Sequence, residues 1–289
     1  MAAQSASLVR QSLRQSTSKR VDRERKHDVS TDHTRSIEDE IVSENDEQRQ
    51  TLLDARGMPV LTYVRGVREG HPWADLAEVV GPDPVDAIVS DMSGWAVSGS
   101  VELGEQLLRR GARVIRHAHE MRRDLIAYPP PADWSSRVLG NRFRVVPCDR
   151  AADALFPAWR AAFPAGHPDH HSGSDEDALN ERLVPLLAGS ILGPVLPCSA
   201  LVVDDSDRVV AGVIIADRDG LPWIADVFRR PGARYAGLGA DVLRRALCVA
   251  AADGLTDVSL VVSDANPARR IYEELGFQLA DTSLTVVVP

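Results

Sequence analysis

The residues best suited to chemistry fall in two segments of the C-terminal half. The first, Asp226-Val227-Phe228-Arg229-Arg230-Pro231-Gly232-Ala233-Arg234-Tyr235-Ala236-Gly237-Leu238-Gly239, runs from a strand through a glycine-containing turn into a helix. A helix start presents unpaired N–H groups and the positive end of the helix dipole, so this turn suits an anion, above all a pyrophosphate. Gly237 and Gly239 would let the backbone approach phosphates with no Cβ in the way. A plain turn explains two glycines equally well. The second segment, Val261 to Phe277, carries Asn266, Tyr272 and Gly276 around a helix that opens with a proline. On residue type alone, Asn266 is an ordinary helix cap, Tyr272 is an aromatic at an amphipathic helix end where packing is the common role, and Gly276 is a C′ residue.

Taken in order and at their spacing, the two segments resemble the acyl-CoA loop and the following motif helix of the GCN5-related N-acetyltransferase (GNAT) superfamily. The resemblance rests on Arg234-Tyr235-Ala236-Gly237-Leu238-Gly239 and on Asn266 through Phe277, and it covers roughly Arg142 to Pro289. It implies that the backbone amides of Arg234, Tyr235, Ala236, Gly237, Leu238 and Gly239 cradle the pyrophosphate of acetyl-CoA, the acyl donor. It implies that Phe228 and Arg229 pair with the pantetheine amides and that Asn266 bonds the pantetheine arm. Tyr272 would return a proton to the leaving thiolate, as a phenol that is protonated at neutral pH can do.

The implied function is transfer of an acetyl group from acetyl-CoA directly to an amine of a small molecule or peptide, with no covalent enzyme intermediate. The alternative is a non-catalytic acyl-CoA-binding or regulatory relative. What keeps it open is the strand before the phosphate turn, where the position most often acidic in that family holds Ala225. Asp226 is adjacent, but regular alternation along a strand points it to the opposite face. The loop from Phe163 to Asp177 holds His167, Asp169, His170 and His171 and is expected to act as an acceptor-binding lid. His117 and His119 share a strand face, but no third ligand is identifiable, and no metal site is assigned.

These residues need a mixed α/β sheet to position them. The chain reads as a disordered polar tail (1–55), a small N-terminal α/β unit (56–128), a proline-rich connector (129–141) and a GNAT-like domain (142–289). In the N-terminal unit, Pro59–Val64, Val85–Val89 and Arg113–His119 read as strands, and Val101–Arg110 reads as a helix closed by Gly111. In the GNAT-like domain, strands are expected at 143–147, 200–203, 209–216, 223–228 and 258–262, with a final strand pair over 278–288. Helices are expected near 149–163, 175–187, 239–252 and 267–275. The segment from Val85 to Gly111 weakly echoes Thr256 to Gly276, which would make the N-terminal unit a degenerate half-copy.

Composition excludes several other classes. The chain has 289 residues, 44% of them apolar and 26% charged, close to ordinary globular usage. The net charge of −9 argues against general affinity for nucleic acid or anionic lipid. No apolar run approaches the roughly 18 residues of a membrane span. The three cysteines, Cys148, Cys198 and Cys248, lie far apart and read as reduced thiols of a cytoplasmic protein. An amine-bearing acceptor is the expected partner, and a homodimer is compatible with the sequence.

Overall fold

The computed structural model describes residues 49–68, 71–137, 139–140, 142–171 and 173–289. They divide into two units, 49–116 with Ser283–Pro289, and His117–Thr282. No helix among the described residues is long and apolar enough to cross a membrane.

The first unit holds β1 (Arg49–Leu53), β2 (Pro59–Arg68), β3 (His71–Val79), α1 (Pro84–Asp91), β4 (Ala96–Ser100), α2 (Val101–Arg109) and the start of β5 (Arg113–Asp124). β1, β2 and β3 form an antiparallel meander, and β4 joins β3 in parallel. The last residues of β11 (Gln278–Val287) pair antiparallel with β4. Leu61, Ile88, Met92, Val97, Leu107 and Val286 meet in its core. Ser100 caps α2 by accepting from Leu103 N at 3.3 Å.

The second unit holds the rest of β5, then β6 (Phe143–Pro147) and α3 (Ala152–Ala162). A compound helix α4 follows, in which a π-helical stretch (Ala178–Leu183) separates α-helical turns at Asp175–Asp177 and Val184–Leu187. Next come β7 (Ala200–Asp204), β8 (Val209–Arg218), β9 (Leu221–Arg229), α5 (Leu238–Ala252), β10 (Asp257–Ser263), α6 (Ala268–Glu274) and the first residues of β11. β6 to β9 are successively antiparallel. β10 lies parallel to β9 and antiparallel to β5. α5 buries Leu238, Val242, Leu243, Ala246, Leu247 and Ala250, a stripe at helical spacing, against Val202, Ile215, Leu260 and Val262 of the sheet.

Several sequence expectations change. Residues up to 48 of the expected tail lie outside the described residues, but Arg49–Leu53 is a strand, held where Arg49 donates to Thr62 Oγ1 and Leu76 O, both at 3.0 Å. The segment 85–89 is helical rather than extended. Pro84 starts α1 with a φ suited to a helix, and Pro84 and Ile88, one turn apart, are its buried residues. β3 and β4 were not anticipated. The expected final strand pair is one continuous strand, since nothing between Gln278 and Val287 is a glycine or proline to turn the chain. The echo between the units also shifts. Both run three antiparallel strands, helix, parallel strand, helix, strand, so α1 corresponds to α5 and β4 to β10.

Glu120 on β5 is buried, and burial together with Asp281 pushes its carboxyl up to about 7 against the pull of Arg218 and Arg122. The folded chain therefore binds a proton that the unfolded chain has already released, and stability falls as pH rises from the ordinary carboxylate range through about 7. Glu120→Gln should flatten that decline and raise stability at pH 8 by up to ~3 kcal/mol. Urea unfolding at pH 5 and pH 8 measures it, and an unchanged pH dependence would contradict the assignment.

Candidate active site

β9 and β10 are joined at a single ladder pair, Trp223 with Ser259, whereas β10 pairs with β5 along its whole length. Beyond that point the C-terminal half of β9 has a ladder partner only on its β8 side. The register with β8 also slips there, from Ile214 opposite Asp226 to Ile215 opposite Ile224, so Ala225 is the extra residue of a β-bulge. Ile224 and Val227, three apart, both join the core beneath α5. Asp226 between them points to the other face, where Trp159 Nε1 of α3 donates to its Oδ2 at 3.1 Å. The expectation that Asp226 points to the face opposite Ala225 assumed unbroken alternation, which the bulge interrupts.

Asp226 is half-buried, and desolvation raises its pKa, opposed by Arg182 and by the Trp159 hydrogen bond. A second carboxylate, Asp169, comes from the loop after α3. It accepts from Ser263 Oγ at 2.9 Å and from Asn266 Nδ2 at 2.6 Å. Asn266 Oδ1 accepts from Ala268 N at 2.9 Å, an Asx turn that leads into α6, whose N-cap position is Pro267 and not Asn266. Its amide nitrogen, expected to hold the pantetheine arm, already serves Asp169.

Tyr272 is buried on α6 beside Phe277, with ring centroids 5.9 Å apart. Burial, then Asp169 and Asp226, push its phenol pKa well above the ordinary value. It is therefore a firmly protonated donor, set among carboxylates. Gly276 ends α6 in the left-handed region at φ 82°, and a Cβ there would collide with Arg123 Nη1, which donates to Leu275 O.

The turn before α5 holds both engaged and free amides. Tyr235 N and Ala236 N donate within the turn, to Gly232 O at 3.1 Å and Ala233 O at 3.2 Å, and so are engaged. The amides of Leu238, Gly239 and Ala240 begin α5 and have no acceptor one turn back. Gly237 has φ 83°, which a glycine adopts without strain. Gly239 has no such need, and a Cβ on it would meet only Val227 Cγ1 at 3.7 Å. Internal packing does not require Gly239, which leaves room for a group outside the chain. The Arg234 guanidinium lies over Phe143 at 5.7 Å and Tyr235 at 5.6 Å, Phe228 is buried, and Arg229 at the exposed end of β9 donates to Arg230 O at 3.0 Å.

The histidines of the 163–177 loop hold the loop itself. His170 Nδ1 lies 2.8 Å from Phe163 O, while the Nδ1 atoms of His167 and His171 accept from Asp169 N at 3.0 Å and Gly173 N at 3.2 Å. Arg160 braces the loop through Asp175, His171 O and Gly173 O. His117 and His119 do find a third partner, Asp264, with ligand atoms of all three within 4.8 Å of one another. Arg269 Nη1, however, lies 3.0 Å from both His119 Nε2 and Asp264 Oδ1, so a cation is already present in the cluster. Sequence reasoning missed Asp264 because it reaches the histidines only through β10–β5 pairing.

Residues 153–277 match the profile of the Acetyltransferase (GNAT) family. Solved structures share the fold. A GCN5-related N-acetyltransferase from Sphaerobacter thermophilus has a TM-score of 0.56 at 17% identity, covering 84% of this chain and 81% of that one. A tandem GNAT protein from the clavulanic acid biosynthesis pathway, solved without AcCoA, has 0.56 at 13% identity, covering 81% and 80%. A GCN5-related glucosamine N-acetyltransferase region of a fungal multi-domain GH3 β-N-acetylglucosaminidase has 0.55 at 13%, covering 82% of this chain and 32% of that one. No curated protein matches the chain. The C-terminal region belongs to the GNAT superfamily.

Asp169→Ala would leave Asn266 Nδ2 and Ser263 Oγ without their acceptor. Denaturant unfolding should show a loss of about 1–3 kcal/mol, and unchanged stability would mean that Asp169 does not tie the loop to β10.

Proposed function

We propose that the protein is an N-acetyltransferase that moves an acetyl group from acetyl-CoA directly to an amine, with Asp226 as base and Tyr272 as acid. The observation that carries this reading is the pair of groups with opposed tasks beside the β9–β10 divergence, a half-buried carboxyl and a buried phenol. Asp226 has a raised pKa, which brings a carboxylate closer to the range useful for taking a proton from an amine. Tyr272 keeps its proton and has one to give. As the amine nitrogen attacks the thioester carbon, its proton passes towards Asp226. The C–S bond then breaks, and the thiolate takes the phenolic proton. The first amides of α5 would hold the pyrophosphate, and the unpaired side of β9 around Phe228 and Arg229 would hold the pantetheine amides. The non-catalytic alternative rests on Ala225 and on the degenerate character of the N-terminal unit, and the bulge beside Asp226 weakens the first of these grounds.

Tyr272→Phe should lower kcat by ~100-fold or more in a thiol-release assay while leaving the acetyl-CoA Kd unchanged. Equal turnover would remove Tyr272 from the mechanism. Asp226→Asn should abolish the ascending limb of the kcat/KM pH profile, since only the ionised carboxylate accepts a proton. A limb that persists would assign the base elsewhere.

Gly239→Ala separates cradle from scaffold. It should raise stability by roughly 0.5 kcal/mol, since glycine is a poor helix residue, yet weaken acetyl-CoA binding in calorimetry. Retained affinity would refute the assignment of the turn.

A further inference from the structure

Arg182 belongs to the π-helical stretch of α4, lies on its buried face with Ala178, Leu183 and Leu186, and is 3% exposed. None of its three guanidinium nitrogens has a hydrogen-bond partner among the described residues. A guanidinium carries five N–H donors, and burying it with all of them idle is costly unless something else engages them. Asp226 is the opposite charge that acts on it, but the hydrogen bond to Asp226 comes from Trp159. The Asp226 carboxyl is moreover raised rather than lowered, which is not the signature of a closed ion pair. π-Helical turns are often found at functional sites.

The charge pattern around Arg182 suggests its ligand. Asp226 lies within electrostatic reach of both Arg182 and Asp169. Two carboxylates beside one unpartnered guanidinium complement a molecule with an ammonium group and an anionic group. Guanidinium matches a planar carboxylate through two parallel hydrogen bonds. A phosphate would bring up to two negative charges close to Asp226, where a carboxylate brings one.

We infer that Arg182 binds the carboxylate of the acceptor, so that the substrate is a small zwitterionic amine such as an amino acid. This rests on the acetyltransferase reading for the amine's fate, but the anion site can be tested without turnover. The probes are N-acetylglycine, N-acetyl-L-leucine, N-acetyl-L-lysine and N-acetyl-β-alanine, each titrated calorimetrically beside its carboxamide. At least one carboxylate should bind ~10-fold or more tightly than its amide, and Arg182→Met should erase that difference while acetyl-CoA affinity stays. If the methionine variant does not fold, Arg182→Lys, which keeps the charge but not the fork, should reduce the preference. Equal binding of acids and amides, no binding of any acid, or a preference that survives in the folded variants overturns the inference. Failure of acetyl-CoA to bind would instead count against the proposed function, and would leave a measured carboxylate preference standing.

Discussion

A parallel strand pair held together by one ladder position is the constraint on which the rest of the site depends. Backbone N–H and C=O groups that leave a ladder must find other partners. Here β10 keeps a complete ladder to β5, while β9 keeps only β8 on its other side. The divergence frees one side of β9 next to the first turn of α5. It also makes room for Asp169, which reaches Ser263 and Asn266 at the end of β10. The bulge at Ala225 belongs to the same region and turns Asp226 towards Trp159. Backbone irregularity thus gathers carboxylates from two separate elements near one phenol.

Features confined to a few neighbouring residues were legible in the sequence. The glycine turn before α5 and the C′ glycine at 276 each follow from residue type at a fixed offset. What depends on pairing register was not. One extra residue at Ala225 reverses every face assignment after it, and no composition signal marks the slip. Asp264 joining His117 and His119 depends on a ladder between strands far apart in sequence. Arg182 left a trace, a charge one turn beyond Ala178 on an apolar face, but an exposed arginine produces the same local pattern. Segment 85–89 was misread because β-branched residues in a short apolar run do not separate strand from buried helix.

The two units share an element order and differ at the connection that would carry chemistry. Between β3 and α1 only residues 80–83 intervene, and Pro82 and Pro84 have no N–H to donate. Between β9 and α5 the chain has a longer turn with glycines at 232 and 237 and a helix of 15 residues behind it. The same topology therefore offers a glycine-led helix start with free amides in one unit and a tight proline turn in the other. In this account the acyl donor belongs to the second unit alone.

The central claim is that the start of α5 and the unpaired side of β9 together receive acyl-CoA. Calorimetric titration of the purified protein with acetyl-CoA, beside dephospho-CoA and buffer controls, tests it most directly. The account predicts a single saturable site per chain with a micromolar Kd, about −8 kcal/mol. A folded sample that shows no binding would contradict it.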